Sequence, residues 1–383
     1  MHNYKIYVSE AFRSFTRRWK IIRGPEKYGD DNSTDVDICR NIIEKCYDSE
    51  KKYFRTSLGN YPEFYSRDFG WCVESLVYLG YEEKVLDTLR YALQCYKKHG
   101  YVTIAINPND IPFNFPDKYI PDSVTFLFRS LRIARAKDII IEYQDFLNKE
   151  ILKFEELTID KELCIIKNEY FSGMRDYELV SSACYDMIMA CSLCDEIDKI
   201  NKLFKKKIFN NNLKKYNLKK NLIKFYWKEG YFKNGLSEND VTGHCNVYPY
   251  WLEIISDKKM LAASIKSIED AGLDKPMPLK YGFSDRTQFL WYEFFVKDWE
   301  KNTVWSMLGM AYIQILFKID KKKAKYHLEK YSDMIKKYKA FIEVYGSNNK
   351  PYKSSFFYSD TSMLWASMYI HSKKILEKNE KKR

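Results

Sequence analysis

Residues 302–317 read NTVWSMLGMAYIQILF. Trp305, Leu308, Tyr312, Ile315 and Leu316 recur at steps of three and four, so a helix over this stretch puts them on one face. The same period recurs along nearly the whole chain. It predicts helices over 36–51, 69–79, 83–98, 120–135, 137–155, 177–194, 196–208, 244–256, 258–271, 321–340 and 359–376. Only 14 Gly and 10 Pro punctuate the 383 residues, and no Pro falls between Asp122 and Tyr248. That scarcity of breakers disfavours a many-turned β fold. Short hairpins fit only at GYVTIAI (100–106) and KFYWKEGYF (224–232).

A dozen helices without a linker form one continuous pattern. An open solenoid would show a motif at a fixed period, and none recurs. The expectation is an all-α chain closed as a toroid of about six helical hairpins, an (α/α)6 barrel with minor β-hairpins in its loops. Residues 34–383 read as one domain, and residues 1–33, with few periodic apolar positions, as a lead-in segment.

Composition narrows the function classes. The net charge of +12 comes from Lys interspersed with Glu and Asp, as on solvated helix faces, and no zinc-finger or helix-turn-helix signature accompanies it; no nucleic-acid partner is expected. No signal peptide and no apolar run of membrane-spanning length is visible, so no membrane partner is expected. The nine Cys are odd in number, irregularly spaced and mostly at apolar periodic positions, which suits free thiols in the cytoplasm. Cys191 and Cys194 form a lone CxxC inside a helix, too little for a zinc or redox site. The five His are scattered, and GxGxxG, P-loop and GxSxG motifs are absent; no metal and no cofactor is expected.

In a hairpin toroid the loops at one end converge, and five loop segments here are rich in polar and aromatic groups. NYPEFYSRDFGW (60–71) surrounds Arg67 and Asp68 with Tyr65 and Trp71, and places Asp68 as a helix N-cap. KNEYFSGMRDYELVSS (167–182) sets Arg175 and Asp176 after Gly173, where Asp176 would begin a helix. DVTGHCNVYPYWLEII (240–255) carries His244 and Asn246 among aromatics. FVKDWEKNTVW (295–305) places Trp299 and Asn302 before a helix, and AFIEVYGSNNK (340–350) holds Glu343 and Tyr345 in an apolar setting, with Ser359 or Asp360 capping the helix that follows. Rings beside carboxylates and a guanidinium suit a carbohydrate: rings stack on pyranose C–H faces and charged groups take hydroxyls.

The order of these motifs resembles that of the six-hairpin (α/α)6-barrel glycosidases, the group of glucoamylases, trehalases and the glucosidase domain of debranching enzyme. The resemblance spans roughly residues 50–375. Tyr65-Ser-Arg67-Asp68 is similar to the family's sugar-gripping aromatic-x-Arg-Asp motif. Ser172-Gly-Met-Arg-Asp176 is similar to its Ser-Gly-x-Asp general-acid motif, with one extra residue before the Asp. Phe341-Ile-Glu343-Val-Tyr345, with Tyr358-Ser359 beyond it, is similar to its general-base segment, and Asn302-Thr-Val-Trp305 with Gly309 to another of its helix starts.

The resemblance implies an inverting glycoside hydrolase acting on a short α-glucoside or related glycoside. Asp176 would be general acid and Glu343 general base. Tyr65, Arg67, Asp68, Trp71, Arg175, His244, Asn246, Trp299, Asn302 and Tyr345 would bind the sugar. Inversion needs the two carboxyls about 6.5–9.5 Å apart with a water between. A carboxyl at a helix N-terminus beside Arg175 would be held ionised, the wrong state for an acid, unless burial among aromatics or a nearby carboxylate outweighs this, or Arg175 points to substrate or to Glu178. A non-catalytic sugar-binding protein on the same scaffold and a helical-repeat interaction protein are the alternatives.

Overall fold

The computed structural model describes residues 8–9, 11–13, 15–17, 19, 22, 25–171, 173–282, 288–355 and 357–380. Part of the expected lead-in segment and Ser172 of the mid-chain motif lie outside the described residues.

Helices alternate between two concentric layers. The inner ring holds α2 (Ser66–Tyr78), α4 (Pro121–Ile133), α7 (Cys184–Phe204), α9 (Gly243–Trp251), α11 (Ser306–Leu316) and α13 (Ala366–Glu380). Each packs on the next, and α13 packs back on α2 and closes the toroid. The outer layer holds α1 (Asp35–Cys46), α3 (Glu82–His99), the short α5 (Lys137–Glu142) with α6 (Gln144–Thr158), α8 (Leu218–Tyr226), α10 (Lys258–Asp270) and α12 (Lys321–Tyr338). The architecture is the all-α (α/α)6 barrel. Two-residue strands occupy the loops, including a three-stranded sheet of Phe64–Tyr65, Ala105–Ile106 and Pro112–Phe113.

The two layers differ in chemistry for a physical reason. An outer helix needs one apolar stripe, and α12 buries Ala324, Leu328, Tyr331 and Ile335 while its lysines face outward. An inner helix has neighbours on every side. In α11 every residue from Ser306 to Ile313 is buried, so the stripe read from sequence is part of a helix apolar nearly all round.

Several helices differ from the sequence reading: 36–51 ends at Cys46, 137–155 is split at Tyr143, 244–256 ends at Trp251, and Leu218–Tyr226 is a helix that reading did not give. The stretches 177–194 and 196–208 form one helix, α7, which starts only at Cys184. Ser182 sits at a φ of 45°, a left-handed conformation that no α-helix passes through. Upstream of it, Leu179 N–H and Leu290 N–H bond to the carbonyls of Gln288 and Tyr177, and Asp176 sits at a bend in this non-helical loop and begins no helix. The helix expected from 359 begins at Ala366 instead, because Phe341 and Glu343 donate to the carbonyls of Thr361 and Asp360 and hold that segment extended. Asp68 is no N-cap; it lies inside the first turn of α2, after Tyr65.

The ring is tight where α2 meets α4. A Cβ on Gly70 would fall on the Phe126 ring, with Cγ at 2.6 Å. Overpacking of this kind is costly. Gly70→Val is expected to lower stability by about 2 kcal/mol or more, read as a shift in the urea midpoint at unchanged slope.

Candidate active site

The chain alternates between inner and outer helices, with long connections leading into each inner helix, so all six inner helices run the same way. Their N-termini face one end, and a cavity of about 720 Å³ opens there. Helix N-termini present unpaired N–H groups and partial positive charge, a setting that draws carboxylates. Asp68, Asp176, Glu300 and Glu343 all line this cavity, with Trp71, Trp299, Trp305 and Trp365.

Arg67 organises the group. Its side chain is buried, and its Nε donates to Asp122 Oδ2 at 2.6 Å and its Nη1 to Asp176 Oδ1 at 3.1 Å. Tyr185 Oη donates to the same Asp122 oxygen at 3.0 Å. Arg67 Nη2 and Trp71 Nε1 are buried without a hydrogen-bond partner, two donors left over at the cavity wall.

Asp176 is held through its backbone. The buried carboxylate of Glu300 accepts the N–H of Asp176 at 2.7 Å and of Tyr177 at 2.9 Å. The Asp176 side chain is 35% exposed and faces the cavity. Arg175 turns the other way: it pairs with Glu178, donates to the Gly282 carbonyl and lies 5.2 Å over the Tyr281 ring. The cation on Asp176 is therefore Arg67, and the expected electrostatic conflict with Arg175 does not arise.

Glu343 is buried just ahead of the strand Val344–Tyr345, which pairs with Val304–Trp305. Its Oε2 accepts the N–H of Asp360 at 2.9 Å. Asp360 is itself fixed by Ser57 Oγ at 2.7 Å and by the N–H of Ser362 at 2.8 Å. Asp68 accepts from Trp365 Nε1 at 3.0 Å.

The carboxyls sense one another. Burial, opposed by Arg67 and reinforced by the Asp176 charge, pushes Asp68 up to about 7. Burial and then the Asp176 charge raise Glu300 well above the usual carboxylate range. The cluster therefore holds protons near neutrality, as coupled carboxyls do.

Of the residues singled out in the sequence, Tyr65, Arg67, Asp68, Trp71, Asp176, Trp299 and Glu343 share this cavity. Arg175, His244, Asn246, Asn302 and Tyr345 do not line it. His244 is buried one layer behind, its ring 5.5 Å from that of Tyr281. Asn246 is fully buried and bonds the backbone of Phe232 and Thr242, which joins α9 to a hairpin. Asn302 is exposed, and Tyr345 is packed in the wall against Tyr331. Glu300, Tyr281 and Trp365 were not singled out. Glu300 stands beside Trp299 in KDWEKN, where its neighbours make it read as one of a solvated charge run.

No protein-family profile matches the chain, and no curated protein sequence matches it. Its fold is similar to that of solved glycosidases. A rhamnosidase from Klebsiella oxytoca with rhamnose bound gives a TM-score of 0.60 at 11% identity, over 91% of this chain and 65% of that one. A glycosidase variant in complex with glucose gives 0.62 at 10%, over 90% and 97%. A metal-independent α-mannosidase from Streptococcus pneumoniae, in a non-productive complex with α-1,6-mannobiose, gives 0.56 at 13%, over 97% and 98%. The chain shares the (α/α)6 barrel of these enzymes and spans about two thirds of the rhamnosidase's length.

The raised Asp68 fixes the sign of a pH effect. Its carboxyl binds a proton more tightly folded than unfolded, so its contribution is intact below about pH 4 and is lost as pH rises through 7. Asp68→Asn keeps an acceptor for Trp365 and removes that loss. It is expected to be more stable than wild type by roughly 2–4 kcal/mol at pH 8 and by less than about 0.5 kcal/mol at pH 4, checked by denaturant unfolding at both pH values.

Proposed function

We propose that the chain is a glycoside hydrolase that inverts configuration at the anomeric carbon of a short α-glucoside or related glycoside. The observation that carries this reading is the convergence of Asp176, Glu343, Asp68 and four tryptophans on one cavity in a glycosidase-type barrel. Asp176 gives a proton to the leaving glycosidic oxygen. Glu343 takes a proton from a water that attacks the anomeric carbon from the opposite face. Tyr65, Arg67, Asp68, Trp71 and Trp299 hold the sugar in this reading, with the free Nη2 of Arg67 and Nε1 of Trp71 as hydroxyl donors. The exposure of Asp176 beside a buried Glu343 supports the assignment, since the acid must meet the leaving group at the open side.

Glu300 serves Asp176 in two ways. It fixes the backbone of the acid by two hydrogen bonds, and its proximity favours a retained proton in the pair. We read residues 34–383 as the catalytic domain and residues 1–33 as its lead-in. Nine unpaired thiols support a cytoplasmic protein. No helix among the described residues is long and apolar enough to cross a membrane.

Purified chain incubated with maltose, trehalose, isomaltose and glucosylglycerate, followed by NMR, is expected to release the inverted anomer from at least one. Retention sinks the two-carboxylate assignment; tight binding without turnover favours a sugar-binding protein. Asp176→Asn and Glu343→Gln are each expected to lower kcat by about 10²–10⁴. Glu300→Gln removes one acceptor and one member of the proton-holding pair. It is expected to move the basic limb of the kcat/KM profile down by about one pH unit, a shift that a purely structural loss would not produce.

A further inference from the structure

The cavity wall is not uniform. Its carboxylates and tryptophans come from the helix starts and the loops around Asp176, Glu300 and Glu343. One side is different: Ile104, Phe113, Phe115 and Pro116 come from the three-stranded sheet and the loop that leaves it, and Phe15 comes from the N-terminal segment. Ile104 and Phe113 form, with Ala105 and Ile120, an apolar cluster separate from the barrel core, against which Tyr65 packs. Tyr65 lies two residues before Arg67, so the cluster borders the carboxyl site directly.

Two of these side chains are open to solvent although they line the cavity: Phe115 is 41% and Phe15 61% exposed. Apolar rings at the rim of a concave site are a binding feature more often than an accident. The charged groups that tie this side together, Arg17 and Glu63, face each other at 3.0 Å, and Asn114 Oδ1 is engaged by the Ile104 N–H at 2.9 Å. Of the charged groups on this side Arg17 and Glu63 already pair with each other and Asp117 follows Pro116, while Ile104, Phe113, Phe115, Pro116 and Phe15 offer a second sugar no hydroxyl partner.

We infer that this wall is the subsite for the part of the substrate beyond the cleaved bond, and that it takes an apolar group, an alkyl or aryl aglycone. The inference rests on the hydrolase reading for the word aglycone, but the apolar subsite stands on its own geometry. The substrate class is thus a glycoside of a hydrophobic alcohol, with its sugar at the carboxyls and its chain along Phe113, Phe115 and Phe15.

The test uses the full chain with methyl, butyl, hexyl and octyl α-glucoside and with the matching 1-alkanols, titrated by calorimetry. The alkanols carry no sugar, so their binding reads the subsite whichever sugar the site accepts. Affinity is expected to rise about threefold to fourfold per added methylene. The rise should flatten in Phe115→Ser and in Phe15→Ser, both exposed positions where folding is not at stake. It should persist in Ile223→Ser, an exposed apolar position on the outer helix α8. Affinity independent of chain length, or a slope that survives both Phe substitutions, overturns the inference. Maltose bound tenfold more tightly than hexyl glucoside also overturns it. Alkanol binding with the expected slope but no hydrolysis of any glycoside leaves the subsite standing and removes the hydrolase reading instead.

Discussion

A single buried guanidinium ties the site to the barrel. Arg67 projects from the first turn of α2, where the helix end is already positive, and it is surrounded by protein. A cation buried there is tolerable only if carboxylates meet it. Asp122, from the first turn of α4, and Asp176, from the 174–183 loop, supply them. The ion cluster therefore clamps two neighbouring inner helices to the loop that leads into α7. Breaking it by removing Arg67 would leave Asp122 fully buried and uncompensated, a far larger cost than the pair's net attraction.

The charge arrangement follows from running six inner helices in one direction. The end with the N-termini collects Asp68, Asp122, Asp176, Glu300 and Glu343. The opposite end, where the C-termini gather, surrounds a cavity of about 640 Å³ with Arg129, Arg132, Arg135, Lys199, Lys202 and Lys318 against Glu74, Glu196 and Glu253. The excess of about three positive charges has the size of the −0.5 per helix that six C-termini present. Basic side chains there complement the helix C-termini. The acidic end is not accounted for in this way, because its carboxyls exceed what capping needs and burial raises three of them, Asp68, Asp122 and Glu300. That asymmetry separates the end where chemistry is expected from the end that only balances charge.

The barrel was legible because inner and outer helices both repeat at 3.6 residues, and the absence of a fixed longer period excluded a solenoid. Boundaries failed where tertiary hydrogen bonds outbid local preference. Asp176 and Ser359 look like helix starts, yet Glu300, Gln288 and Glu343 claim the neighbouring backbone from 17 to more than 100 positions away. Nothing local in the sequence encodes such partners. Residues on helix ends, Arg67, Asp68 and Trp71, were found because the motif and the helix coincide. His244 and Asn246 carried the same polar-aromatic signature but point into the layer between helices, where Asn246 serves the backbone of Phe232. Composition does not distinguish a polar group that faces a cavity from one that satisfies a buried strand.

The division between helix-borne and loop-borne groups has a mechanical meaning. Arg67, Asp68 and Trp71 sit on a helix packed on both sides, by α4 and α13. Asp176, Glu300 and Glu343 sit at bends and turns outside the helices, where the Glu300 and Glu343 carboxylates accept backbone N–H groups and Asp176 gives its own N–H to Glu300. A proton donor on a helix N-terminus would be held ionised by the dipole. Moving Asp176 off the helix start, and letting Arg175 turn to Glu178, removes both influences and leaves Arg67 as the cation in contact. The extra residue in the mid-chain motif falls in the bend that runs from Met174 to Tyr177, which leaves Asp176 eight residues ahead of the helix start at Cys184.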